Sequence, residues 1–314
     1  MRGRGGGGSG RGSEPWRRGG SRPPPGSSRG RGRTPSAPWS RLKPVELDPL
    51  EALGLPSKGD NRLLDFKTQE RYYTKIVERY MAFCSDAGER DELLRRFASL
   101  SMTSGVLNHA SSINSEEHAK SLSDVLSALR KLREGILASK RVDNFSIQAY
   151  LFCIRLAILA KHPESYHAAM LHLLKRIHPV HNMTTVETHE VVGYLILDTA
   201  CRRGNLAEAY AVRSRYKFRD TKIDAVLDAL AHDNYIEFNR LRGHVDGHRA
   251  RLLEYAEDGM RRHSLKCFGK TYLSVDLGYL EKCAGSKWAS LAANDGVGWE
   301  LEGDKVVIKR VRAK

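Results

Sequence analysis

The chain has 314 residues, 40% of them hydrophobic and 28% charged, with a formal net charge of +15. That length and composition suit one large or two modest domains and exclude both a wholly disordered chain and a disulfide-stapled miniprotein. The charge is uneven, because residues 1–45 carry eleven Lys or Arg against the single acid Glu14, leaving only +5 for the remaining sequence.

Residues 1–45 are low-complexity, with twelve Gly, seven Pro and six Arg-Gly pairs. Trp16, Trp39, Leu42 and Val45 are almost its only large apolar groups. They are too few to offset the entropy of ordering a backbone, so a disordered tail is predicted. It lacks the apolar centre of a secretory signal, and no stretch of the chain approaches the roughly 20 apolar residues of a membrane span. Cys84, Cys153, Cys201, Cys267 and Cys283 show no paired spacing. They read as reduced, buried thiols, which fits a nuclear or cytoplasmic protein.

Residues 46–59 read as a linker whose Leu47, Leu50, Leu53 and Leu55 are placed to dock onto the body. Residues 60–186 read as a helical region. Phe66, Tyr73, Val77, Tyr80 and Met81 recur at helical steps and predict one apolar stripe. Leu93, Leu94, Phe97 and Leu100 predict a second helix, and the polar run 104–117 a loop. Leu122, Val125, Leu126, Leu129, Leu132 and Ile136 predict an amphipathic helix, whereas 145–160 is apolar nearly all round and predicts a buried one. Pro163 and Pro179 bracket another.

Residues 187–264 read as helical repeats. A helix carrying Val191, Tyr194, Leu195, Leu197 and Ala200 reaches Arg202-Arg203-Gly204, and Asn205 opens the next one. Cations, then Gly as C-cap, then Asn as N-cap, join two helices with almost no loop. The small Ala200, Ala207 and Ala209 are expected to let them approach closely. A second pair turns at His232-Asp233-Asn234, and a long helix is expected over 252–268.

The last stretch, 265–314, changes period. A helix closes near Tyr272, and Ser274-Val275-Asp276 is expected to open a short one with Leu277, Leu280 and Cys283. Gly285-Ser286 leads to another with Trp288 and Leu291. Val297, Trp299 and Leu301 then alternate up to Gly303-Asp304, and Val306, Ile308 and Val311 after it, which predicts a β-hairpin. Helices closed by a hairpin suggest a winged helix whose core is filled by Tyr272, Leu277, Leu280, Trp288 and Trp299.

The segments 194–216, 229–238, 261–276 and 298–308 occur in an order that resembles the small PCI subunits of three assemblies. These are the smallest PCI subunit of the signalosome, its counterpart in the proteasome lid, and subunit k of translation initiation factor three. The resemblance implies an all-α fold: a helical-hairpin (TPR-like) stack running into a C-terminal winged helix. It also implies a non-catalytic scaffold whose partners are other PCI-domain subunits. A hairpin edge can extend a neighbour's sheet, so Val306, Ile308 and Lys309 are the expected interface.

Other chemistries find little support. The histidine pairs His178 and His181, and His244 and His248, lack companion ligands at zinc spacing, so no metal or cofactor is expected. Gly-x-Ser-x-Gly, a phosphate loop and a dinucleotide fingerprint are all missing, so no catalytic residue is assigned. The alternative to a scaffold is an RNA-binding or mRNA-processing and export adaptor. Its contacts would come from Arg2, Arg4, Arg11, Arg18, Arg29 and Arg31 in the tail and from Arg310 and Arg312 at the basic end.

Overall fold

The computed structural model describes residues 48, 50–87 and 112–309. The Arg/Gly tail, the expected helix at 93–100 and the basic end with Arg310, Val311 and Arg312 lie outside them. The described chain is mostly helical and closes on a small three-stranded sheet.

Residues 50–59 belong to the body. Leu50 is buried, and its carbonyl accepts the Tyr72 hydroxyl at 2.7 Å and the Lys131 ammonium at 3.1 Å. Short 3-10 turns at Pro56–Lys58 and Asn61–Leu64 lead into α1, Phe66–Ala87. Its inward residues are Tyr72, Ile76 and Phe83, while Phe66 and Met81 of the expected stripe are exposed. Tyr73 and Tyr80 do face inward, edge-on to Phe152, with Phe145 also against Tyr73. Phe66 is covered differently. The buried Arg141 guanidinium lies 4.5 Å from the Phe66 ring centroid and 4.2 Å from that of Phe145. Arg141 also pairs with Glu70 at 2.6 Å and Asp143 at 2.7 Å, joining α1 to the start of α3.

Helix α2, Ser112–Ala138, starts earlier than expected, so 112–117 is helical and not loop. Helix α3, Asn144–Leu159, is buried nearly all round and opens on a capping box between Asp143 and Ser146. Helix α4, Pro163–His172, continues through a π-helical turn, Leu173–Ile177. Helix α5, Thr185–Leu197, has a Thr184/Glu187 capping box and runs into a second π turn, Asp198–Arg202. Gly204 then takes φ +63°, a left-handed conformation that ends the helix, and Asn205 caps α6, Leu206–Arg215. Ala200 and Ala209 are buried at this junction, whereas Ala207 points to solvent, a half-turn out of phase with the contact.

Helices α7, Thr221–Ala231, and α8, Tyr235–Arg242, are capped by Asp220 and Asn234. The expected long helix over 252–268 is two, α9 (Gly247–Leu253) and α10 (Glu257–Thr271). The break is a tight turn in which the Tyr255 and Ala256 amides donate back to the carbonyls of Leu252 and Leu253. Successive helices pack in pairs, α1 with α2, α3 with α4, α5 with α6 and α7 with α8, and α9 lies against α3 and α5.

A buried polar cluster fixes how two of these pairs meet. Asp198 has no exposed surface. Its carboxylate accepts the Tyr166 hydroxyl at 2.8 Å and the Arg202 Nε at 2.6 Å and Nη2 at 2.9 Å, with His167 Nδ1 3.0 Å away. Burial, and then the Asp198 charge, push the Tyr166 phenol well above its ordinary pKa. Replacing Asp198 with Ala strands these donors and is expected to cost about 3 kcal/mol. Tyr166→Phe removes one neutral partner and should cost about 1 kcal/mol. Urea denaturation followed by circular dichroism measures both.

Burial lowers the pKa of His172, stacked on Tyr150, and of His248, beside the Tyr194 ring. Burial opposes ionisation of Glu190 and Asp220, yet Arg155 holds the first, and α7 amides with Arg249 the second, below the usual carboxylate range. Burial instead raises Glu257, which regains a little stability as acid neutralises it. The unfolded chain protonates its histidines first, so stability should fall as pH drops below about 6.5, and fall again below about 4 as the held carboxylates protonate. Urea midpoints across pH check this, and the double variant His172→Gln/His248→Gln should lose the upper step alone.

Candidate interaction surface

The C-terminal residues build a second apolar core beside the large helical one. Helix α10 leads to β1 (Ser274–Asp276), then α11 (Leu277–Ala284), α12 (Trp288–Asn294), β2 (Glu300–Glu302) and β3 (Lys305–Val307). Leu265, Phe268, Val275, Leu280, Cys283, Ala284, Leu291 and Val306 are its buried residues. Asp276 caps α11 through the Tyr279 amide at 2.8 Å. Glu281 accepts the Trp288 amide at 2.8 Å and the Lys287 ammonium at 2.9 Å, which orients α12 and lowers the Glu281 pKa.

The joint with the helical pairs is specific. Tyr235 at the start of α8 packs against both cores, and Asn239 Nδ2 donates to the Cys283 carbonyl at 2.8 Å. Arg261 on α10 pairs with Asp295 at 3.2 Å.

The sheet order is β1-β3-β2, both pairings antiparallel. This places Val306 away from the sheet edge expected of it. Val306 is fully buried on the central strand, opposite Val275 on one side and Leu301 on the other. Ile308 packs on the same core, and the Ile308 and Lys309 amides both donate to the Leu273 carbonyl, at 2.8 and 3.0 Å. Val306 is therefore internal to the module, Ile308 is half-buried and Lys309 is exposed, and β1 and β2 are the outer strands. The third strand arises where a helix start was expected, because Ser274-Val275-Asp276 finds its ladder only in a segment thirty residues later.

Of the expected core residues, Leu280 is fully buried, and Leu277, Trp288 and Trp299 are half-buried against the same cluster. Tyr272 is 43% exposed and belongs to the surface. The core aromatic is Phe268, which was not singled out in the sequence because it sits alone in a polar stretch of α10. Around it lie Tyr272, stacked at 5.3 Å, and Tyr279, edge-on at 5.9 Å. Tyr279 is 45% and the neighbouring Leu273 54% exposed, so an aromatic and aliphatic patch surrounds the entry to β1.

Charge here is of mixed sign and absent from α12. Helix α12 reads WASLAAN and has no charged side chain. On the sheet, Asp276, Lys305 and Glu302 stand opposite one another across the three strands, with acids on both sides of the single cation.

The histidines singled out in the sequence are engaged separately. His178 Nδ1 accepts the Met183 amide at 3.2 Å, His181 lies 2.7 Å from Asn144 Oδ1, and His244 lies 2.7 Å from the Arg240 carbonyl. No group of three potential metal ligands occurs among the described residues. All five cysteines are free thiols, and no described helix is long and apolar enough to cross a membrane. The expected RNA-contacting arginines, Arg2, Arg4, Arg11, Arg18, Arg29, Arg31, Arg310 and Arg312, lie outside the described residues. Scanned against protein-family models the sequence matches none, and a search of curated proteins returns no match.

Phe268→Ala should cost about 3 to 5 kcal/mol and melt the C-terminal module first, since it empties the centre of a small core. Tyr272→Ala removes a half-exposed ring and should cost under about 1 kcal/mol. Thermal melts read by near-ultraviolet circular dichroism distinguish the two.

Proposed function

We propose that this protein is a non-catalytic scaffold subunit of a PCI-type complex, acting in the nucleus or cytoplasm, and that its C-terminal module is a winged helix that docks on another such subunit. The order helix, strand, helix, helix and hairpin, with the hairpin's second strand central in the sheet, supports the winged-helix reading. Paired helices leading directly into it support the helical-hairpin stack. The exposed patch of Tyr272, Leu273 and Tyr279 carries the docking proposal. Aromatic side chains at the centre of a surface are typical anchors of protein interfaces, since they bury much area at low entropic cost.

The charge pattern favours a protein partner over a groove-reading role. A helix that enters a nucleic-acid groove carries a basic face, and α12 has none. Docking by this route is burial of the aromatic patch, with any sheet extension confined to an outer strand.

The test is affinity purification of the tagged full chain with mass spectrometry, before and after nuclease treatment. The parent should recover PCI-domain subunits of a proteasome-lid, signalosome or initiation-factor type, insensitive to nuclease. Tyr272→Glu/Tyr279→Glu should keep its circular dichroism spectrum and lose them. Undiminished recovery by that variant would sink the docking surface, and recovery that vanishes with nuclease would favour the RNA-adaptor alternative.

A further inference from the structure

From the last turn of α6 into the loop before α7 the chain reads Arg213-Ser214-Arg215-Tyr216-Lys217-Phe218-Arg219, cations alternating with other residues. Arg213 is neutralised by Asp224, its Nε and Nη2 donating at 2.6 and 2.8 Å. Asp220, the nearest other acid in the chain, caps α7 and pairs with Arg249 at 2.9 Å. Arg215, Lys217 and Arg219 are exposed and form no ion pair among the described residues.

The segment that carries them is firmly held. Phe218 is buried and stacks on His189 at 4.2 Å, and His189 Nε2 lies 3.1 Å from the Arg219 carbonyl. A side chain at Gly193 would meet the Phe218 ring at 3.3 Å and Ile223 at 3.0 Å, so α5 approaches the loop as closely as glycine permits. Two open cavities flank the loop, of about 600 Å³ on the side of Asp220 and Thr221 and about 460 Å³ on the side of His178 and His189. Both are lined by Lys217, Phe218 and Arg219. On the wall of the second, the buried Thr188 hydroxyl has no hydrogen-bond partner among the described residues.

We propose that this loop is a binding site for the phosphate backbone of single-stranded RNA. Three cations free of acid partners on a pre-formed loop give a polyanion charge-assisted contacts at little ordering cost. Grooves on both sides, each lined by Lys217 and Arg219, let a strand run across the loop. Of the two aromatic rings here Phe218 is buried and Tyr216 half-buried, so the large exposed side chains of the segment are its cations, and the surface lacks the large apolar centre that a folded protein partner would use. Contact is then mainly to phosphate, which carries little sequence preference. The site is separate from the aromatic docking patch and does not rest on the scaffold reading.

The experiment is fluorescence anisotropy of the full chain with a labelled oligouridine of about twenty nucleotides over a salt series. The variant Arg215→Glu/Lys217→Glu/Arg219→Glu is compared with a charge-matched control on α1, Lys67→Glu/Arg71→Glu/Lys75→Glu, whose three residues are also exposed. The tail is intact in both, and circular dichroism melts establish that both fold. The loop variant should bind at least about tenfold more weakly and lose about two units of the salt slope, the share of three phosphate contacts on a single strand. The control should stay within about threefold of the parent. Equal losses in both variants would leave only net charge at work and overturn the site. Unchanged binding by the loop variant would overturn it too, as would polyglutamate binding that depends on the loop while oligouridine binding does not.

Discussion

The Asp198 carboxylate is the point on which the described architecture turns. It is fully buried directly after the apolar run 191–197, and a buried carboxylate survives only when its oxygens are occupied. Tyr166 and His167 reach it from α4, and Arg202 reaches it from one turn along its own helix. Those bonds set the rotation and height of α5 against α4. The π turn from Asp198 to Arg202 delivers the cation to the carboxylate and leads directly to the left-handed Gly204. Where α6 begins, and so how the next pair of helices lies, follows from that turn.

The same economy governs the C-terminal module. Its core is small, and among the described residues the shared Tyr235, the bond from Asn239 to a backbone carbonyl and the Arg261–Asp295 ion pair help to hold it to the helices. Phe268 is the pivot. Its burial supports the sheet on one side and leaves Tyr272 and Tyr279 leaning on it from outside. An exposed patch of large apolar residues is costly to keep in water unless something covers it. That patch, and not the strand expected to offer an edge, is where the module has unspent apolar surface.

Two kinds of surface are thus segregated on one compact unit. The module presents aromatic area among charges of mixed sign, whereas the loop before α7 presents cations with Phe218 turned inward. The segregation has a local cause. Phe218 and His189 hold the loop against α5 and leave the cations outside, while Asp276 and Glu281 are engaged in capping bonds within the module.

Much of the helical body was legible in the residues alone. Apolar spacing located α2 and α3, prolines bounded α4, and Gly204-Asn205 marked its turn, because each signal acts within a few neighbouring residues. The hairpin around Gly303-Asp304 was legible for the same reason. The phase of α1, the outward Ala207, the break before α10 and the strand at Ser274–Asp276 were not, since each depends on a partner far along the chain. A lone acid among apolar residues was the one local hint of the Asp198 cluster. Local chemistry determined which segments are helical and where they end. Only the tertiary structure decided that Val306 is core and Tyr272 surface, because a strand's edge or centre is set by who pairs with it, and burial by what arrives from elsewhere in the fold.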